Sequence, residues 1–440
     1  MNSAVVLSSG MASLVLFGSF FALLVARVPV AFALALASLP VLIIEPRLSP
    51  MVIFNEMFKS YNSFILLAVP FFLLTANLMN VGGITARLMR LSRALVGHFP
   101  GGLAQINVIL SAFFAGISGS ATADAASQGK IFIEAQVKEG YDLSFSIAIT
   151  AVTAVLSVII PPSILMVVWG GVISTSIGAM YLAGVIPGLL IGAAQMATVH
   201  AYAKRRNYPV YPRSNFLEIV KATFVSIPAL MTPLIIVGGI LAGWFTATES
   251  AAVAVLYAAA LSVFYYREMG LKQLWTAIVD TGKLSGAALF CVGTASVFGW
   301  LLAYYQIPKA LLSSVQGWDL GIMGTGFLIA AIFLVVGCFL DAIPAIIIVG
   351  TTLQPMAAAS GMHPVSFAII GIVALAFGLV TPPYGMCLMI SCAVAKVPLK
   401  FAIKDTMIML VPMLMVLALL IIFPEIPLLL PRWISPDLLK

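Results

Sequence analysis

The chain has 440 residues, of which 62% are hydrophobic and only 8% charged, with a mean hydropathy of +1.14. Soluble domains carry roughly 25% charged residues, so this composition excludes a soluble globular enzyme and places the chain in lipid. The net charge of +7 comes from short basic clusters between apolar stretches, the pattern of a membrane protein rather than of a nucleic-acid-binding face.

In chain order, apolar runs fall near 5–25, 28–44, 63–80, 103–116, 145–175, 180–202, 222–244, 250–266, 284–305, 322–340, 343–358, 366–395 and 405–424. A span needs about 20 apolar residues, so the chain has room for on the order of ten to fourteen segments. No Lys or Arg precedes Arg27; without the charged start of a cleavable signal, the first run reads as a retained span. Residues 84–95 mix Arg87, Arg90 and Arg93 with apolar positions at helical spacing, and read either as a helix lying in the interface or as a basic loop. Thr246-Ala-Thr-Glu249 fits a capping box opening the helix that follows. Trp300, Tyr304 and Tyr305 read as an interfacial belt. The four cysteines, Cys291, Cys338, Cys387 and Cys392, lie inside apolar stretches and read as small buried hydrophobes.

Placing Arg27 inside groups it with 87–93, 204–221, 267–272 and 396–404, a set of 14 bases; the opposite set (Arg47, Lys59, Lys309, Arg432, Lys440) holds 5. This bias predicts both termini outside the cytoplasm. No Ser/Gly linker divides the chain, which reads as one membrane domain.

Two similar constellations stand half a chain apart. A-G-I-S-G-S-A-T-A-D (115–124) precedes V-I-I-P-P-S (158–163), and G-C-F-L-D-A-I-P (337–344) precedes L-V-T-P-P-Y-G (379–385). Asp341 follows Asp124 by 217 residues and Pro382 follows Pro161 by 221. Matching Gly/Pro-interrupted segments in two halves point to a transporter site. A helical proline cannot donate to the carbonyl four residues back. Pro161 and Pro162 therefore deprive Ser157 and Val158, and Pro382 and Pro383 deprive Gly378 and Leu379. In hydrocarbon such carbonyls must line a cavity or meet a ligand, and oxygen suits a hard cation. Ser118, Ser120 and Thr122 add hydroxyls among small residues. Asp124 reads as a functional acid or a helix cap, and Asp341 as the partner of a bound cation or an N-cap.

No G-x-x-x-x-G-K-[ST] and no HExxH occur, so ATP, zinc and haem are not expected as cofactors. Gly116-Ile117-Ser118-Gly119 matches a string of intramembrane serine proteases, but His200 lies beside a basic cluster and His363 in a turn; neither is placed to activate a serine at membrane depth. A passive channel would need a carbonyl filter or a charged ring.

Pro100-Gly101-Gly102-Leu103, the 115–121 stretch, Gly140-Tyr141-Asp142, Ile160-Pro161-Pro162-Ser163-Ile164, Gly184-Val185-Ile186-Pro187-Gly188, Thr246-Ala247-Thr248-Glu249 and Thr381-Pro382-Pro383 resemble the large membrane subunit of tripartite ATP-independent periplasmic (TRAP) transporters over nearly the whole chain. The resemblance implies an all-α polytopic membrane protein of the bacterial inner membrane, with inverted repeats, two re-entrant hairpins, broken helices and elevator motion. It divides the chain into scaffold helices (1–80), a first transport core (100–200), scaffold helices with basic loops (204–283), a second core (284–400) and a C-terminal helix and tail (405–440). It implies Na⁺-driven uptake of a small organic anion, with a small membrane subunit and a periplasmic binding protein as partners. The first Na⁺ site would use Ser118, Ser120, Thr122, Ser157, Ile160 and Pro161; the second Gly337, Asp341, Gly378, Thr381 and Pro382. Family members often carry Gly where this chain has Ser157. Thr153, Ser163, Thr294, Ser296 and Tyr384 are candidate substrate ligands. No arginine lies within these motifs, so hydroxyls, helix N-termini and the bound cations are expected to hold the anion. The competing function is a self-sufficient ion-coupled carrier that needs no binding protein.

Overall fold

The computed structural model describes residues 7–26, 28–315 and 320–439; Arg27 and Lys440, two of the bases used for the orientation, lie outside them. Among the described residues the regular structure is entirely helical. The first half comprises α1 (Ser9–Val25), α2 (Val30–Ile44), α3 (Val52–Tyr61), α4 (Ala68–Val81), α5 (Ile84–Val96), α6 (Gly102–Ser118), α7 (Ala121–Lys138), α8 (Leu143–Ala154), α9 (Leu156–Ile159), α10 (Ile164–Ile173) and α11 (Ile177–Arg206). The second comprises α12 (Phe216–Leu241), α13 (Ala247–Ala260), α14 (Leu271–Tyr304), α15 (Ile307–Val315), α16 (Gly321–Gly337), α17 (Ala342–Ala345), α18 (Thr351–Ala359), α19 (Pro364–Gly378), α20 (Met386–Ala395), α21 (Ile403–Ile422) and α22 (Leu429–Ile434). Six of the described helices are long and apolar enough to cross a membrane, or eight if each sharply bent pair is one span. Of the six shorter apolar helices, α6 and α16 are arms of hairpins and α19 and α20 are the halves of a broken helix.

Local chemistry sets most boundaries. The Thr246 hydroxyl accepts the Glu249 N–H and the Glu249 carboxylate accepts the Thr246 N–H at 2.8 Å, so the expected capping box opens α13. Residues 84–95 are helical: Ile84, Leu88 and Leu91 lie buried on one face of α5, while Arg87, Arg90 and Arg93 follow one another at three-residue spacing on another. Tyr305 departs from the belt expected of it. It is buried, and its hydroxyl lies 3.4 Å from the Glu45 carboxylate, whereas Trp300 stacks on a half-exposed Tyr304 with centroids 5.3 Å apart.

The segment 121–138 is a helix that hydrophobic patterning did not reveal, because its apolar residues are diluted by Thr, Asp, Gln, Lys and Glu. It forms a hairpin with α6. Ser118 ends the first arm, Gly119 turns the chain at φ +61°, and Ser120 caps the second arm through the Ala123 N–H. Only glycine takes this left-handed conformation without strain. A second hairpin joins α16 to α17–α18 through residues 338–340, with Asp341 capping α17.

The two halves interlock. The half-helix α20, after the second Pro-Pro pair, packs on α7 and α8, and α19 packs on α9 and α10. Trp169 of α10 is fully buried against Phe333 of α16 (5.7 Å) and Phe367 of α19 (5.1 Å). Gly371 admits that indole: a Cβ there would stand 2.7 Å from its edge.

Candidate functional site

Both proline-broken helices are observed. The bend between the α8–α9 segment and α10 is 45°, with Ile160 and Ser163 in extended backbone. The second break runs from Leu379 to Gly385, between α19 and α20. Both Pro-Pro bonds, Pro161-Pro162 and Pro382-Pro383, are cis.

Each hairpin tip meets the break of its own half. A Cβ on Gly119 would stand 3.1 Å from the Ile164 nitrogen and 3.2 Å from the Pro162 carbonyl oxygen. In the second half, a Cβ on Gly378 would stand 2.6 Å from the Gly337 Cα, and the Gly385 N–H points at the Cys338 carbonyl at 3.4 Å. Main chain therefore faces main chain at both places, which only small residues permit.

The first constellation forms a cluster. The Ser118 hydroxyl lies 3.4 Å from the Ser120 nitrogen, and the Ser120 and Thr122 hydroxyls are 3.3 Å apart. Asp124 is buried on the first turn of α7 with its carboxylate within interaction range of the Ser118 and Ser157 hydroxyls. Its Oδ2 has no hydrogen-bond partner among the described residues. Ser157 directs its hydroxyl to the Ala154 carbonyl at 2.6 Å, leaving its own carbonyl deprived of a helical donor by Pro161. In the second constellation Asp341 accepts the Ala342 N–H at 2.7 Å, so its N-cap reading holds. The Thr381 hydroxyl donates to the Phe377 carbonyl at 2.7 Å.

Three of the four carbonyls expected to be orphaned are not. Val158 accepts the Ser163 hydroxyl at 2.7 Å, Gly378 accepts the Thr381 N–H at 3.0 Å, and Leu379 accepts the Cys387 N–H at 2.9 Å. Two backbone N–H groups and one side-chain hydroxyl thus replace the donors that the prolines remove. A carbonyl oxygen has two lone pairs, so each keeps one acceptor position.

The candidate substrate ligands are not all brought together. Ser163 stands in the first break, where its hydroxyl holds Val158. Tyr384 stands in the second, 48% exposed, with its ring 6.1 Å from that of Phe339 on the hairpin turn. Thr153 is buried between α8 and α6, bonded to the Thr150 carbonyl and 3.5 Å from the Asn107 side chain. Thr294 and Ser296 bond carbonyls of their own unbroken helix α14, those of Cys291 and Val292; this helix packs on α17.

Two residues at the centre were not in the expected ligand set. Asp124 is one. Cys387 is the other: it is fully buried on α20, which packs on α7, the helix that carries Asp124, and it lies within electrostatic range of both Asp124 and Asp341. The sequence signal for Asp124 was its place in the duplicated motif; Cys387 had none beyond its apolar surroundings. The serine of the Gly-x-Ser-Gly string has Ser120 and Asp124 as neighbours. The His363 imidazole accepts the Val365 N–H as the cap of α19.

Helical hairpins set against proline-broken helices within a multi-pass membrane domain define a transporter, with its site where broken helices meet. The family model of the tripartite ATP-independent periplasmic transporter, DctM component, matches residues 17–426, and the chain belongs to this family; it is a transporter subunit and not an enzyme. It is 36% identical to the sialic acid TRAP transporter large permease SiaM of Vibrio cholerae over 94% of this chain and 98% of that protein. It is 35% identical to the C4-dicarboxylate large permease DctM of Pseudomonas aeruginosa over 86% and 89%, and 34% identical to the isethionate permease DctMQ of Oleidesulfovibrio alaskensis, spanning 94% of this chain and 65% of that longer protein. The crystal structure of the Alcanivorax borkumensis YdaH transporter shares the fold, with a TM-score of 0.60 at 15% identity, covering 84% of this chain and 86% of that one.

Proposed function

We propose that this subunit imports a small organic anion across the bacterial inner membrane, driven by co-transported Na⁺, after a periplasmic binding protein delivers the anion to a complex with a small membrane subunit. The observation that carries the reading is the apposition of hairpin tip and proline break in both halves, Gly119 against 162–164 and Gly337 against Gly378. Around each apposition the residues assigned to Na⁺ offer hard oxygen donors. In the first these are the hydroxyls of Ser118, Ser120 and Thr122, the carbonyls of Ser157 and Ile160, the Pro161 peptide and the Asp124 carboxylate. In the second they are Asp341, the carbonyls of Gly337 and Gly378, Thr381 and the Pro382 peptide.

Na⁺ is cargo here, and its charge has a second use. With no arginine in these motifs, two cations beside the helix N-termini of α7, α10 and α20 supply the positive field that a carboxylate, sugar-acid or sulfonate substrate needs, with Ser163 and Tyr384 at the breaks as its contacts. The tip–break pairs move together as an elevator against the remaining helices, both termini on the periplasmic side. Two Na⁺ crossing 100 mV down a tenfold gradient supply about 7 kcal/mol, enough to concentrate a neutral solute about 10⁵-fold. A dianion with two Na⁺ is electroneutral and limited to about a hundredfold.

Proteoliposome uptake tests the proposal. Transport should require the binding protein, the small subunit and a Na⁺ gradient together. Uptake by the large subunit alone would favour the self-sufficient carrier, and uptake indifferent to Na⁺ would remove the coupling.

A further inference from the structure

A concentration of unpaired charge lies away from the hairpin tips, in a cavity of about 580 Å³ between α5, residues 211–214 and the first turns of α12. Arg90, Arg93, Arg213 and Lys221 line it, and none of the four forms an ion pair among the described residues. Arg87, also in the lining, is already neutralised by Glu268 at 2.7 Å. The acid in the lining, Glu218, accepts the Asn215 N–H at 3.2 Å as part of the α12 cap. The Arg93 guanidinium rests 4.5 Å from the centre of the Tyr211 ring, and the Tyr211 hydroxyl is held in turn by Glu139. Arg93 is thus held in place, and four cations share one concavity with a single acid.

Depth identifies what neutralises them. The span α12 has 26 residues, about 39 Å at 1.5 Å per residue, longer than the roughly 30 Å hydrocarbon core. Its first turns therefore stand at head-group level. Phe216 and Leu217 on those turns and Phe224, about two turns deeper, are 76%, 74% and 68% exposed. Bases around a cavity beside bare aromatic and aliphatic side chains suit a ligand that is anionic at one end and apolar at the other. We propose that this cavity seats the phosphate head group of an anionic phospholipid, its acyl chains lying along the exposed face of α12. A free phosphate would satisfy the bases and make no use of the apolar face beside them.

Native mass spectrometry of the full chain in detergent tests this, with phosphatidylglycerol, phosphatidylethanolamine and inorganic phosphate as probes. Phosphatidylglycerol should be retained well above phosphatidylethanolamine, and inorganic phosphate at low millimolar concentration should not displace it. Each base removed should weaken binding roughly fivefold: Lys221→Gln by that factor, and Arg90→Gln/Arg213→Gln/Lys221→Gln by about a hundredfold, while Lys272→Gln in the first turn of α14, outside the cavity lining, changes nothing. If the triple variant does not fold, the wild-type chain decides, because its preference for phosphatidylglycerol must collapse as NaCl rises from about 50 to 500 mM. Equal retention of both lipids, triple-variant binding equal to wild type, or displacement by inorganic phosphate overturns the proposal. So does a variant that keeps its phosphatidylglycerol but loses a co-purifying membrane subunit, since the cavity would then be a protein-docking site.

Discussion

Replacing Gly378 by alanine perturbs the second tip–break contact at its tightest point. The added Cβ would stand 2.6 Å from the Gly337 Cα, 2.7 Å from the Gly337 carbonyl carbon and 2.7 Å from the Leu334 carbonyl oxygen. All three are main-chain atoms and cannot swing aside as a flexible side chain can. Ordinary contact begins near 3.5 Å, so α16 and α19 must separate by nearly 1 Å. Overpacking of this kind costs about 1–3 kcal/mol, and backbone on every side places it at the upper end. The same separation pulls Gly337 away from Thr381 and Pro382, so Na⁺-dependent uptake should fall further than stability does. Gly282→Ala and Gly286→Ala on α14 are the controls: nothing lies within 4 Å of either new methyl, and alanine in a helix is favoured by about 0.5–1 kcal/mol. Thermal unfolding in detergent, followed by uptake in proteoliposomes, reads both quantities. A Gly378→Ala protein that melts with the wild type and transports normally would refute the claimed main-chain contact.

Further expectations address the ion ligands, the caps and pH. Ser118→Ala and Asp124→Asn should each raise the Na⁺ concentration for half-maximal uptake about tenfold, the loss of one ligand to a charged centre; unchanged Na⁺ dependence in both removes the first site. Asp341→Asn keeps a good N-cap while deleting the charge, so it should weaken Na⁺ dependence with little loss of stability, whereas Asp341→Ala should lose both. Thr246→Ala breaks the α13 capping box and should cost about 1 kcal/mol in unfolding without altering Na⁺ dependence. Asp142, outside the spans, is held below its ordinary 3.8 chiefly by the Tyr208 hydroxyl and also by Arg206. A depressed carboxyl stabilises the fold above its unfolded value and loses that contribution as pH falls through the folded one. The wild-type melting temperature should therefore drop below about pH 4, and Tyr208→Phe should flatten that drop; an identical acid profile in the variant would show that the contact carries no linkage.

Composition and short-range pattern determined the outline: the membrane setting, the apolar spans, the α13 cap and the two breaks at Pro161-Pro162 and Pro382-Pro383. These depend on interactions within a few residues or on the solvent the chain can tolerate, and both are written locally. The duplicated motifs paired each break with a Gly-rich tip before any contact was visible. Helix α7 escaped detection because its stability comes from packing on α8 and α20 rather than from a clean apolar stripe. The fate of the deprived carbonyls also lay beyond local rules. Proline removes a donor, but whether Ser163, Thr381 or Cys387 replaces it depends on where the unwound backbone turns. The nearness of Asp124 to Cys387, 263 positions further on, belongs wholly to the tertiary structure, since α7 and α20 pack together only when the two halves interlock. A sequence can name the groups that must find partners in a solvent without water. Which partners they find is decided by packing, because each orphaned oxygen is worth more than any local preference for where the chain goes next.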